Sequence, residues 1–188
     1  MPTREEVYSA IRGELEYAEN IWKVRSYHAN EPYTRDEDKP VEDWLIFIKG
    51  YYNDAVSAAA HQAGPTPTLQ IVRKLAALCV RCMMSNGIVL RDGRYVVPFD
   101  GQPITFANVT YAVDLERAYQ DQLGSDRTDF APRKVTGYLV MFKTYLDRAI
   151  NGWTENAGNV QALDNVRKLA GIAVHCLEDH GAPTRELV

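Results

Sequence analysis

The sequence lacks a positive charge excess and long apolar runs, and both absences exclude classes of protein. Lys and Arg number 21 against 25 Asp and Glu, so the net charge is -4 and no overall positive field is available to hold nucleic acid non-specifically. No stretch approaches the roughly eighteen uninterrupted apolar residues of a membrane span, and the N-terminus is charged rather than signal-like. We therefore expect a cytoplasmic protein with neither membrane nor bulk nucleic acid as partner.

Cysteine and recognisable catalytic motifs are also scarce. The three cysteines, Cys79, Cys82 and Cys176, cannot all pair within one chain, and the single C-x-x-C lies in a helical run without a second one to complete a zinc site. The G-x-S-x-G, H-E-x-x-H, phosphate-loop and G-x-G-x-x-G patterns are missing, and the four histidines are scattered. The sequence thus predicts buried core cysteines, no metal, no cofactor and no catalytic residue.

An internal repeat is the strongest signal that is present. Val41 to Arg91 aligns without a gap with Val135 to Arg185, at an offset of 94 residues, and the match includes the pentapeptide VRKLA at Val72 and Val166. Upstream, ELEYAENIW at Glu14 aligns more loosely with DLERAYQDQ at an offset of 100. The alignment predicts a tandem duplication.

Helical periodicity predicts three helices in each copy and therefore an all-α fold. The first runs from Arg4 to about Lys23, and its counterpart from about Thr110 to Gln122. The second begins near Val41 and the third after the turn that contains Pro67. The apolar face predicted for the second helix is Trp44, Ile48, Tyr51 and Ala55, and its counterpart is Tyr138, Phe142, Tyr145 and Ala149. For the third helix the face is Val72, Leu75, Cys79 and Cys82, and its counterpart is Val166, Leu169, Ala173 and Cys176.

Glycine and turn residues set the expected boundaries. Gly87 and Gly181 follow the third helices in a position suited to a left-handed cap. An alternating segment around Asp92-Gly93 predicts a short β-hairpin or extended linker. We therefore expect a first helical repeat at 1–91, a linker at 92–109 and a second repeat at 110–188, packed about a pseudo-twofold axis as one bundle.

The strings WLxFIxxYxNxA, VRKLAALxVxCM and VRKLAGIAVHCLEDHGAPTR resemble a group of small uncharacterised helical bacteriophage proteins. A single copy in that group ends in a Cys, acidic, His, Gly, Pro and Arg signature. The second copy of this chain has the whole signature, whereas the first keeps Cys82, Gly87 and Arg91. The resemblance implies a phage protein in the host cytoplasm and brings no established activity.

A more distant resemblance is to the all-α nucleoside triphosphate pyrophosphohydrolases of the MazG type. That family holds magnesium with an E-x-x-E helix followed by an E-x-x-D helix, which supplies the hard oxygen ligands that the ion prefers. Glu16 and Glu19 match the first motif, but the next helix offers only Asn53 and Asp54. The resemblance thus implies helices that handle nucleotides, with an incomplete metal site.

Cations repeated in both copies are the candidate ligand-binding residues, because arginine grips phosphate and carboxylate through its planar fork. An alternative is that adjacent Arg and Lys form a solvated helix face or bind helix acids. Aromatic residues beside them are suited to stacking a base, although helical spacing also fits a core role. The candidate set is Arg73, Lys74, Arg167, Lys168, Arg91, Arg185, Lys49, Lys143, Tyr51, Tyr145 and Trp22.

Three functional hypotheses follow. The first is a non-catalytic phage protein that binds a small anionic ligand, such as a cyclic nucleotide or an ADP-ribose derivative, and so sequesters a host defence signal. The second is a MazG-like pyrophosphohydrolase that uses Glu16, Glu19 and Asp54 with magnesium. The third is an adaptor that binds and inhibits a host protein. The repeat is also compatible with a homo-oligomer.

Overall fold

The computed structural model describes residues 1–28, 39–99, 102–125, 133–156 and 158–185, with the side chains of 22–28, 124, 125 and 156 left aside. These residues form six helices and a two-stranded antiparallel sheet, and the all-α prediction is confirmed. The elements are α1 (Arg4–His28), α2 (Val41–His61), α3 (Thr66–Asn86), β1 (Ile88–Val89), β2 (Tyr95–Val96), α4 (Phe106–Ser125), α5 (Val135–Asn156) and α6 (Asn159–His180). None of the described helices is long and apolar enough to cross a membrane.

The helices form three layers with α3 and α6 in the middle. On one side α2 packs against α3, α5 against α6, and α2 against α5; on the other side α1 and α4 each contact both central helices. One continuous core joins residues from all six helices. Helices at matching positions in the two halves therefore have matching neighbours. The tandem duplication and the boundaries at 91 and 110 stay predictions.

The central helices are the most buried because their apolar faces meet neighbours on both sides. The expected stripes of α3 and α6 are buried throughout, and in the outer helices Trp44, Ile48, Phe142 and Ala149 are buried as well. Tyr51 and its counterpart Tyr145 are only half-buried. The residues that follow them, Tyr52 and Leu146, complete the core instead.

The three cysteines lie in this core as free thiols. Burial raises the thiol pKa of Cys79 and Cys82 and brings that of Cys176 to about 12. A thiol that stays protonated at neutral pH is a poor nucleophile and a poor metal ligand. These side chains act as small apolar residues.

Matching capping boxes begin α1 and α4. The Thr3 amide donates to the Glu6 carboxylate, and the Glu6 amide donates back to the Thr3 hydroxyl. Thr105 and Asn108 exchange the same pair of hydrogen bonds. Thr3 and Thr105 are 102 residues apart, so the capping boxes align α1 with α4 at an offset of 102, two residues more than the sequence alignment gives. Helix α4 also begins earlier than the sequence predicts, at Phe106 rather than near Thr110.

Glycines end α3 and α6 with nearly the same backbone conformation. Gly87 has φ 114° and ψ 166°, and Gly181 has φ 110° and ψ 145°. The positive φ that the sequence indicated is present, but ψ is extended rather than left-handed helical, a region that glycine alone adopts readily. The chain therefore leaves each helix in an extended direction.

The hairpin follows directly from this exit. Ile88 pairs with Val96, and Val89 with Tyr95, while the Gly93 amide donates to the Leu90 carbonyl at the turn. The hairpin around Asp92-Gly93 is thus present, but it begins four residues before the linker expected at 92. Its first strand is buried and contacts α6.

Candidate functional site

Arg73, the first predicted ligand-binding residue, is buried at 3% exposure between α1 and the chain segment after α6. Its Nη2 lies 3.0 Å from Glu14 Oε2, and its Nε donates to the same oxygen. Its Nη1 donates to the carbonyl of Pro183. A buried guanidinium with these partners is held in place by the fold.

Arg167 is the counterpart of Arg73 and is buried at 1% exposure. It donates to Glu116, to the Val89 carbonyl at 2.7 Å and to Asp164 at 2.5 Å. Val89 and Pro183 hold matching positions after their helices. Two similar clusters are therefore present, one centred on Glu14 of α1 and the other on Glu116 of α4.

A second arginine completes each cluster from the other half of the chain. Arg185 Nη1 donates to Glu14 Oε1 at 2.7 Å, and its guanidinium lies over the Tyr17 ring. Arg91 lies over the Tyr119 ring, with Nη1 3.7 Å from Glu116 Oε2. Cation–π contact adds to these charge pairs.

The two clusters differ in their charged residues. In the first cluster Glu14 is shared by two guanidinium groups, Arg73 and Arg185, so one positive charge is in excess among these side chains. In the second, Asp164 adds a carboxylate to Glu116, whereas Gln70 stands at the matching position in α3. Lys168 also binds Asp164, so the second set has the same excess of one positive charge once this lysine is included.

The four predicted lysines lie on α2, α3, α5 and α6. Lys49 and Lys143 are exposed on α2 and α5, and Lys143 Nζ is 2.7 Å from Asp147 Oδ2. Lys74 Nζ lies 5.8 Å from the ring centroid of Tyr51, on the face of α3 towards α2.

The counterpart of Lys74 repeats this contact. Lys168 Nζ lies 6.0 Å from the ring centroid of Tyr145 and 2.6 Å from Asp164 Oδ2. The second lysine–tyrosine pair is therefore joined to an arginine cluster, because Asp164 also accepts from Arg167. The side chain of Trp22 lies outside the described residues, and ligand binding by these residues stays a prediction.

The carboxylates of the hydrolase hypothesis are exposed on two helices, Glu16 and Glu19 on α1 and Asp54 on α2. Across the described parts of the chain, no group of three or more His, Cys, Asp or Glu side chains is positioned to hold a metal ion. No contact of these residues favours the hydrolase hypothesis.

A further charged cluster joins Arg4 of the first half to Arg117 and Glu178 of the second half. Glu178 accepts from Arg4 at 2.6 Å and from the buried Arg117 at 3.1 Å. At the matching positions of the first half, Leu15 replaces Arg117 and Met84 replaces Glu178. The two halves therefore differ in polarity at this place.

The sequence analysis missed the residues that organise both arginine clusters: Glu14, Glu116, Tyr17 and Tyr119. A usable signal was present, because at an offset of 102 residues these positions are identical, as are Thr3 and Thr105, Val7 and Val109, and Ala10 and Ala112. At the offset of 100, Glu14 lies opposite Asp114 and these identities do not align.

Comparison with known proteins gives no relative: no family model, no curated protein and no solved structure matches this chain.

Proposed function

We propose that this chain is a non-catalytic binding protein that takes a small anionic, nucleotide-derived ligand at Arg91 and Arg185. The observation that carries the proposal is the open guanidinium edge of Arg91. Its side chain is 37% exposed, it lies over Tyr119, and it has no hydrogen-bond acceptor within the described residues. Arg185 is 20% exposed and uses one nitrogen for Glu14.

The chemistry of these positions suits phosphate. A guanidinium held flat against a tyrosine ring keeps its orientation, and its free N–H groups can donate in parallel to two oxygens of a phosphate. The buried Arg73 and Arg167 hold Glu14 and Glu116 in place through ion pairs. In this proposal the exposed arginine of each cluster meets the ligand, and the buried one positions its partner.

The resemblance to bacteriophage proteins supports the more specific proposal that the ligand is a host defence signal and that the protein sequesters it in the cytoplasm. A protein that only captures a ligand needs no metal and no nucleophile. Two similar clusters would give two binding positions per chain.

Calorimetric titration of the purified chain against cyclic dinucleotides, cyclic trinucleotides, ADP-ribose derivatives and ordinary nucleotides tests the proposal. We expect one class of ligand to bind. The double variant Arg91→Gln with Arg185→Gln should lower the affinity for that ligand by about 10-fold or more, because a charge-assisted hydrogen bond is lost. Arg94→Gln is the matched control, because Arg94 is 74% exposed and pairs with Asp92, outside both arginine clusters. Absence of binding to every ligand, or equal loss in the control, would contradict the proposal.

A second candidate function, an adaptor for a host protein, is favoured by one exposed face of α4. Tyr111 is 63% exposed and Leu115 is 40% exposed, one helical turn apart, whereas α1 has Ser9 and Gly13 at the matching positions. Exposed apolar groups on one helix face are suited to a protein partner.

The adaptor function predicts that Tyr111→Ser with Leu115→Ser abolishes capture of a defined host protein. Val140→Ser is the control, since Val140 is equally exposed on the opposite layer. Unchanged capture by the α4 variant would contradict it. The hydrolase hypothesis requires release of pyrophosphate with magnesium and its loss in Glu19→Gln.

A further inference from the structure

In the second half of the chain, the hydroxyl of a tyrosine near the start of α5 donates a hydrogen bond to a carboxylate near the end of α6. The Tyr138 hydroxyl donates to Asp179, and Asp179 Oδ2 also lies 3.7 Å from His175 Nε2. The Tyr138 and His175 rings meet edge to face, with centroids 5.1 Å apart. Asp179 is therefore the acceptor for a buried donor.

The corresponding place in the first half has the same framework. Asn86 Nδ2 is 3.1 Å from the Lys39 carbonyl, and His180 Nε2 is 2.7 Å from the Arg133 carbonyl, so the ring donates from that nitrogen. Asn86 and His180 match at the offset of 94, as do Lys39 and Arg133. The end of the third helix is thus tied to the start of the second in both halves.

The side chains inside that framework differ. Trp44 replaces Tyr138, and Ser85 replaces Asp179. The donor has been kept, because an indole N–H donates as a phenol does, but the carboxylate that would accept has been lost. Trp44 is 1% exposed, and its Nε1 is the buried side-chain polar atom that has no hydrogen-bond partner in the described structure. Buried donors without acceptors are rare, since burial removes the water that would otherwise satisfy them.

Positive charge surrounds this indole. The Arg81 guanidinium carbon lies 5.3 Å from the centroid of the Trp44 ring, and Lys39 Nζ lies 5.7 Å from it. Arg81 stands where the second half has His175. Both cations also interact with other groups of the chain. The indole N–H, which has lost its carboxylate acceptor, therefore indicates a hydrogen-bond acceptor as ligand, and the two nearby cations favour a negatively charged one.

We propose that the first half binds a small oxygen anion, a carboxylate or a phosphate, beside Trp44 and Ser85, at the position that the Asp179 carboxylate fills in the second half. The anion accepts a hydrogen bond from Trp44 Nε1 and lies in the field of Arg81 and Lys39. It must be small, because the group that Ser85 lacks in comparison with Asp179 is a single carboxylate. The site is separate from Arg91 and Arg185 and does not depend on the proposed function.

The indole N–H of Trp44 is a direct probe of this site. The chain has three tryptophans, so an amide correlation spectrum of uniformly labelled protein contains three indole signals, and Trp44→Phe assigns one of them. We expect titration with sodium phosphate or sodium acetate, at constant ionic strength, to move the Trp44 signal downfield to saturation and to leave the other two in place. Comparison of the two salts identifies which anion is preferred.

Ser85→Asp tests the chemistry by supplying the carboxylate from the chain itself. We expect its Trp44 signal to lie downfield without added anion and to respond at least 10-fold less to phosphate, while Ser85→Ala titrates as the parent does. Arg91→Gln with Arg185→Gln should also titrate normally, which separates this site from the proposed ligand site. A Trp44 signal that does not respond to either anion in the parent protein, or that responds equally in Ser85→Asp, would overturn the proposal.

Discussion

Glu14 and Glu116 occupy matching positions in α1 and α4, and each joins the buried arginine of its own half to an arginine from the other half. Glu14 binds Arg73 and Arg185, and Glu116 binds Arg167 and lies 3.7 Å from Arg91. Each half therefore depends on the segment that follows the third helix of the other. The exchange is reciprocal, so the two halves form one folding unit.

Removal of Glu14 should destabilise the protein strongly, because Arg73 would remain buried without a carboxylate. We expect Glu14→Gln to lower the free energy of unfolding by about 3–5 kcal/mol, as for other broken buried ion pairs. Glu116→Gln should cost less, since Arg167 keeps Asp164. Urea denaturation followed by circular dichroism measures both.

Glu16→Gln provides the control for these variants, because Glu16 is exposed on the same helix as Glu14. Its effect should stay within about 0.5 kcal/mol. Equal losses in Glu14→Gln and Glu16→Gln would show that burial of the ion pair contributes nothing.

Gly87 should tolerate no side chain. A Cβ there would lie 2.5 Å from the Tyr95 ring, and φ is +114°, so we expect Gly87→Ala to cost about 1–3 kcal/mol or more. Gly181→Ala should cost less, because its φ is +110° but its Cβ position is open. Gly50→Ala, in the open interior of α2, should stabilise by up to about 1 kcal/mol. Thermal unfolding of the three variants measures this order, and any other order would contradict it.

Acid should weaken the fold through His175. Burial, and then the charge of Arg117, lower the pKa of His175 below the ordinary histidine value of 6.5. The unfolded chain therefore takes up a proton more readily, so stability falls as the pH drops through the unfolded-state pKa. Between about pH 7.5 and about pH 5.5, His175→Gln should lose less stability than the parent. His61→Gln, on the exposed end of α2, should follow the parent curve.

The thiols should resist labelling in the native state. Burial raises the pKa of Cys79, Cys82 and Cys176, and only the thiolate reacts. We expect no modification by a thiol reagent until denaturant is added, when all three react. Ser57→Cys, at an exposed position of α2, should react at once and so confirms that the reagent is active. Rapid labelling of the native parent would contradict the burial of these thiols.

Helices α2, α3, α5 and α6 could be predicted because the sequence pattern that indicates each of them is local. Trp44, Ile48 and Ala55 recur at helical spacing, and Val72 to Ala76 repeats unchanged as Val166 to Ala170. Glycine at 87 and 181 likewise indicated where the helices end. Periodicity and turn chemistry act over a few residues, so a single sequence is enough to read them.

The arginine clusters could not be predicted in the same way, since their partners are far apart in the chain. Arg73 and Arg167 lie beside lysines on amphipathic helices and have the pattern of surface cations, yet both are buried. What decides their burial is the presence of Glu14 and Glu116 in a separate helix. A tertiary ion pair leaves no periodic trace, and here its trace in the sequence was a set of identities 102 residues apart that includes both glutamates.

The ion pair between Glu14 and Arg185 also constrains how the chain can fold during its synthesis. The two residues are separated by 171 positions, and Pro183, whose carbonyl receives Arg73, emerges almost as late. When α1, α2 and α3 have left the ribosome, Arg73 can meet Glu14, but Arg185, which donates to Glu14, and the Pro183 carbonyl, which accepts from Arg73, are still unmade. The first half of a nascent chain must therefore wait, incompletely closed, for nearly the whole second half to be synthesised.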